Sequence, residues 1–143
     1  MTDFFTPGPG HRLQVYLAGP MRGHRLFNFP AFFAAEIRLR ELGYDVVNPA
    51  ARDMAAGIDP SRENTSTSFD IHAAFRYDFQ AILDADAVVF LPGWMLSKGA
   101  NAERVVAHFA GVRCFIYEEA GLRDMAPLEP DISWGDAVEE PIT

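Results

Sequence analysis

The segment Leu13-Gln14-Val15-Tyr16-Leu17-Ala18-Gly19-Pro20-Met21-Arg22-Gly23 decides the fold. Residues 13–18 form a short apolar run with β-branched and aromatic members, and Gly19-Pro20 closes it, as expected of a strand that ends in a turn. Side chains alternate along a strand, so Tyr16 and Ala18 share one face while Val15 and Leu17 take the other. The same pattern recurs at residues 44–47, ended by Asn48-Pro49, at 87–91, followed by a turn over 92–98, and at 112–117. Helical spacing fills the gaps. Asn28 is placed to cap a helix opening at Phe29-Pro30, in which Phe29, Phe32, Phe33, Ile37, Leu39 and Leu42 recur at helical intervals until Gly43. Further helices are predicted over about 69–83 and 99–110. Residues 50–68, with Gly57, Pro60, Asn64 and many Ser and Thr, read as a long loop with room for a helical turn, of a length that is often functional.

This alternation predicts a single α/β domain over residues 1–143. Its core is a doubly wound parallel sheet of four to five strands, Rossmann-like or flavodoxin-like, with helices on both faces. Residues 1–11 are a loose lead-in. Residues 118–143 are an acidic, proline-containing tail with Trp134 as its large apolar anchor, which either adds a last short strand or packs on a partner subunit. In such sheets ligands bind beyond the C-terminal strand ends. Residues 19–25, 48–53 and 92–99 occupy those ends.

The composition narrows the function classes. With a net charge of −8 and no basic stripe, nucleic acid is not an expected partner. An anionic small molecule remains possible, because a few cations and a helix N-terminus make a local site. Cys114 is the single cysteine, which excludes a disulfide framework and a Cys-rich zinc site. No apolar stretch approaches the roughly 20 residues that span a bilayer, and the N-terminus lacks a signal-peptide pattern. A cytoplasmic protein without membrane contact is the expectation. The turn 19–23 is neither a dinucleotide G-x-G-x-x-G nor a Walker loop, and neither cofactor nor metal is expected.

Glu103 carries the most information. On a helix from Gly99 its same-face neighbours are Ala100, Val106, Ala107 and Ala110, while Asn101, Arg104 and His108 lie opposite. Burying a carboxylate costs free energy unless it is partnered or used, so either a structural ion pair or a functional acid is implied. Asp78 repeats the anomaly among Ala74, Phe75, Ala81 and Ile82. Gly19, Met21, Arg22 and Gly23 form a turn that lets backbone approach a ligand closely, with Arg22 offering a donor fork for phosphate or carboxylate. Ser97 and Gly99 open a helix whose free amides suit an anion, although serine at that place is more often simply a cap. Trp94 is a candidate for stacking on a ligand ring, against the plainer role of a packing aromatic.

Taken together, Tyr16-Leu17-Ala18-Gly19-Pro20-Met21-Arg22-Gly23, Asp78 and Ser97-Lys98-Gly99-Ala100-Asn101-Ala102-Glu103 resemble the nucleoside 2-deoxyribosyltransferase superfamily. The nearest functional branch is similar to the 2′-deoxynucleoside 5′-monophosphate N-hydrolases. The chain also resembles a phage and bacterial domain family of largely unassigned function. The resemblance implies a hydrolase (an N-glycosidase of nucleotide metabolism) with Glu103 as the nucleophile on the anomeric carbon, Tyr16 orienting it, and Asp78 assisting protonation of the leaving base. It implies a phosphate-binding role for Ser97 and matches Arg22 and Gly23 to the first loop of the monophosphate branch. The expected partner is a nucleotide substrate, and the expected assembly a homodimer or larger homo-oligomer, with Ser133 or Trp134 serving a neighbouring site. Base exchange and nucleotide sensing without turnover are the alternatives. Pro20 departs from the serine frequent in that branch, and base recognition by the 50–68 stretch is not inherited from the family: Arg52 and Asp53 read there as surface-loop residues, with reading the base or closing a lid as the alternative.

Overall fold

The computed structural model describes residues 12–59 and 71–126. The lead-in and the later part of the tail, including Ser133 and Trp134, lie outside them, as does most of the stretch after Asp59. In chain order the elements are β1 (Gln14–Ala18), α1 (Phe29–Glu41), β2 (Asp45–Val47), α2 (Pro49–Ala55), α3 (Ile71–Asp84), β3 (Ala87–Phe90), α4 (Lys98–Ala110), β4 (Arg113–Glu118) and β5 (Gly121–Asp124). The sheet order is β2-β1-β3-β4-β5, parallel throughout except for β5, which runs antiparallel on β4. This is the α/β architecture expected, and the start of the tail supplies the last short strand.

Alternation in β1 divides the core. Val15 and Leu17 pack with Phe29, Phe32, Ala35 and Leu39 of α1 on one face. Tyr16 and Ala18 pack with Ile82 of α3 and with Ala100 and Ala107 of α4 on the other. Along α1 the buried positions are Phe29, Phe32, Ala35 and Leu39, a stripe at intervals of three and four. Ile37 and Leu42, which also recur at helical spacing, fall off that stripe and are exposed.

Because β1 is followed on one side by β2 and on the other by β3, the direction of winding reverses between β1 and β3. That reversal opens a crevice at their C-terminal ends. Register across it is fixed from Val15 opposite Ala87 to Ala18 opposite Phe90. Asp86 locks the entry, its Oδ2 accepting from Gln14 N at 2.8 Å while its own amide donates to Gln14 O at 2.8 Å. Among the described residues no helix is long and apolar enough to cross a membrane.

Two local readings are corrected. Asn48-Pro49 does not simply stop β2. Asn48 caps α2, its Oδ1 accepting from Ala50 N at 2.9 Å with Pro49 in the first turn, so residues 50–55 are helix and not loop. Asn28 sits ahead of α1 in the left-handed region (φ 60°) and makes no side-chain cap. Its Nδ2 donates instead to Pro20 O at 2.9 Å, tying the turn after β1 to the start of α1.

Gly19 is where β1 leaves the sheet, and a Cβ there would lie 3.0 Å from Leu91 Cβ and 3.4 Å from the Phe32 ring. Leu91 Cβ belongs to a fully packed strand end and has no rotamer by which to retreat. Gly19→Ala is therefore expected to cost about 1–3 kcal/mol, read as a lower urea midpoint with an unchanged denaturant slope.

Candidate active site

The crevice between β1 and β3 is a cleft of about 630 Å³. Its floor is the end of β1, its walls are α2 and α3 on one side and the start of α4 on the other, and the loop after β1 forms its rim. Tyr16, Asp78 and Glu103 all line it, as do Gly19, Met21, Arg22, Gly23, Ser97 and Gly99. Residues from distant parts of the chain thus converge.

Its deepest feature is a hydrogen bond. The Tyr16 hydroxyl donates to Glu103 Oε2 at 2.6 Å, both groups buried, at the short end of the O–H···O range. Glu103 reaches the cleft because its face of α4 is otherwise alanine: Ala100, Glu103 and Ala107 are the buried positions of that helix. Burial pushes the Glu103 carboxyl up to about 8, the Tyr16 hydroxyl pulling against that shift and the charge of Asp78 adding to it. Burial first, and then the charges of Glu103 and Asp78, raise Tyr16 well above the usual phenol range.

Asp78 extends from α3 between the buried Ala74 and Ile82. Burial and then the charge of Asp53 raise it to about 6, opposed by Arg52 and by the Tyr16 hydroxyl. Its Oδ1 is buried without a hydrogen-bond partner among the described residues, an unsatisfied atom in need of an explanation. Asp53 is the residue sequence reasoning undervalued. It lines the cleft from α2, its side chain is 15% exposed, and Arg52 Nη1 lies 3.4 Å from its Oδ1. Burial raises its carboxyl while Arg52 lowers it. The available signal was Asn48-Pro49, which announces α2 and so the inward turn of Asp53. Among the described residues no group of three or more His, Cys, Asp or Glu is arranged to hold a metal ion.

The cleft also takes in the first turn of α4 and several basic side chains. The first amides of a helix have no intrahelical acceptor. Ser97 Oγ takes that of Ala100 at 3.1 Å, so Ser97 is the α4 cap, and the Lys98 and Gly99 amides lie at the cleft end of the helix. Arg22, His24 and Lys98 also line the cleft. Trp94 does not line the cleft. It is buried behind it, its ring 5.2 Å from that of Phe90 and covered by the Arg104 guanidinium at 5.3 Å. The stacking role anticipated for it has no geometric basis, because the short 3-10 turn Trp94–Leu96 directs Trp94 inward and leaves Leu96 at the cleft.

A family described as a domain of unknown function, DUF4406, matches residues 13–116. The chain belongs to that family. No curated protein matches it. Among solved structures it is similar to a 2-deoxyribosyltransferase from the psychrotolerant bacterium Bacillus psychrosaccharolyticus. The two are 19% identical, the match covers 90% of this chain and 93% of that one, and the TM-score is 0.56. At that identity the likeness establishes a shared fold. For a DUF4406 domain, the buried Tyr16–Glu103 pair is accordingly a feature to be explained from its own geometry.

Linkage gives that pair a measurable signature. A carboxyl whose folded-state value is raised holds its proton in the native chain after the unfolded chain has lost it, so stability falls as pH rises from about 4.5 to about 8. Glu103→Gln keeps the shape and removes the titration. The variant is expected to match wild type below about pH 4.5 and to be more stable by about 1–4 kcal/mol above about pH 8. Urea denaturation across that range checks this; a constant difference would show that Glu103 titrates normally.

Proposed function

We propose that this DUF4406 domain is an N-glycosidase that cleaves the bond between base and sugar in a nucleoside or deoxynucleoside 5′-monophosphate. The supporting observation is the buried Glu103 carboxyl held by Tyr16 in a cleft that Asp78 also faces. Cleavage of an N-glycosidic bond builds positive charge on the sugar. A carboxylate fixed beneath C1′ stabilises that charge and then captures the carbon as a glycosyl ester. The departing base carries the bonding electron pair and leaves well only when it receives a proton or a strong hydrogen bond, the role of Asp78. Water on C1′ then releases sugar 5-phosphate and regenerates Glu103.

The phosphate sits at the α4 end, with Ser97, the Lys98 and Gly99 amides and Arg22 as its ligands, and Gly19, Met21 and Gly23 shape the rim through which it enters. Binding energy gained there orients a sugar whose reacting carbon lies at Glu103. Tyr16 holds Oε2, which leaves Oε1 to attack.

The proton count of the cleft fits this chemistry. Asp78 near 6 and Glu103 near 8 act as a coupled pair that holds one proton between those values. In the empty cleft burial favours that proton on Glu103. A sugar with developing positive charge favours the ionised nucleophile, and the proton then belongs on Asp78, facing the base.

Base exchange is the second reading. A second base bound where the first one left would resolve the same glycosyl ester in place of water, and the fold shared with a 2-deoxyribosyltransferase is consistent with that outcome. The chain acts as one unit of a homo-oligomer in either case.

Incubation with a panel of nucleosides and their 5′-monophosphates, with and without an acceptor base, separates these readings. Base release from monophosphates alone is expected, and a swapped nucleoside would establish transfer. Glu103→Gln should lose release at least about a thousandfold, and Asp78→Asn about 10²–10⁴-fold. Release should peak between pH about 6 and about 8 and fall on both sides, and Asp78→Asn should lack the alkaline fall. Tight nucleotide binding with no base released over hours would make the domain a sensor.

A further inference from the structure

Part of the cleft lining combines apolar side chains with two acids. Phe75 and Ile58 supply the apolar surface, and Asp53 and Asp78 the polar atoms. Asp53 is backed by a cation held on two sides: the Arg52 guanidinium lies 4.1 Å over the Tyr77 ring and 3.4 Å from Asp53 Oδ1. Stacking fixes the plane of the fork, so Asp53 keeps a positive neighbour that favours its ionised, accepting form against the burial that raises it. Asp78 faces Asp53, Arg52, Tyr16 and Glu103, and its Oδ1 lacks a partner among the described residues.

We propose that Asp53, backed by Arg52, selects the base by accepting a hydrogen bond from an exocyclic amino group, so that the cleft takes amino-bearing bases over their oxo counterparts. This rests on the nucleotide reading of the cleft. An ionised carboxylate only accepts hydrogen bonds, whereas a protonated carboxyl donates one. The matching base edge carries an N–H donor beside an acceptor: the amino group and N7 of adenine, or the amino group and N3 of cytosine. Hypoxanthine and uracil place an oxo oxygen where the amino group stood. Two acceptors then face each other out of water, and neither is satisfied.

The test uses the full chain carrying Glu103→Gln, which binds without turnover. It is titrated calorimetrically with deoxyadenosine and deoxyinosine monophosphates, and with the cytidine and uridine pair. The amino member of each pair is expected to bind at least about tenfold tighter. Adding Asp53→Asn, whose amide donates as well as accepts, should collapse or invert that ratio, while affinity for 2-deoxyribose 5-phosphate stays within about twofold. Asp53→Glu, which retains the acceptor, should keep the amino preference. Equal affinities with Asp53 present, a ratio unmoved by Asp53→Asn, or no nucleotide binding at all would overturn the proposal. Wild-type base release is assayed separately. Release without amino preference leaves the glycosidase standing and removes this role of Asp53; amino preference without release does the reverse.

Discussion

A carboxylate inside an apolar wall is the constraint on which the rest depends. Taking Glu103 out of water raises the free energy of its charged form, and a single hydroxyl offsets only part of that. The surrounding structure is arranged to keep the arrangement in place. Tyr16 stands on a central strand paired on both sides, so its ring has no freedom to withdraw. Ala100 and Ala107 flank Glu103 on α4 and let the helix lie close to the sheet without filling the space beside the carboxyl. Gly19 ends β1 without a Cβ, so the backbone turns away against Leu91 and leaves the crevice open. Removing the acid would stabilise such a fold, and a chain that retains it sacrifices stability at the site where chemistry is possible.

Charge within the cleft is mixed, and the net charge of the molecule says little about it. Arg22, His24 and Lys98 line it together with Glu103, Asp78 and Asp53. Three acids in one partly dry cavity do not all ionise together at neutral pH, since each charge raises the cost of the next. Arg52 breaks the symmetry among them by lowering Asp53 and, more distantly, Asp78. Of the two acids nearest Tyr16, Asp78 on α3 is raised to about 6 and Glu103 to about 8, so the carboxyl bonded to Tyr16 holds its proton longer.

Much of this was legible in the sequence for a simple reason. Glu103 and Asp78 break helical periodicity, and a charged residue on an apolar stripe is visible without any tertiary knowledge. Strand positions were equally plain, because short apolar runs ended by Gly, Pro or Asn have few other meanings. What failed required neighbours that are remote in sequence. Asp53 gains its place from Asp78 and Arg52, and α2 was hidden because Asn48-Pro49 serves equally to end a strand and to cap a helix. Trp94 looked like a ligand platform because its loop lies at a strand end, but Arg104 from the next helix covers its ring. Asn28 looked like a cap because its residue type favours one, while the carbonyl of Pro20 proved the better partner.

That last bond bears on the shape of the cleft. Leu26, Phe27 and Asn28 occupy the left-handed region in succession, with φ of 54°, 53° and 60°. For residues with a Cβ this conformation costs roughly 1–2 kcal/mol each, and none of the three is glycine. Such strain persists only where surrounding contacts over-determine it. Here Asn28 Nδ2 holds Pro20 O, Phe27 N donates to His24 O at 3.0 Å, and the Phe27 ring lies 6.0 Å from that of Phe29. Without the left-handed turn, α1 would begin along the direction of the β1 loop and Phe27 would leave the cleft wall. The turn bends the chain back sharply enough for Met21, Phe27 and Phe29 to line one cavity. The strained backbone and the buried acid are therefore two costs of the same crevice, one at its rim and one at its floor.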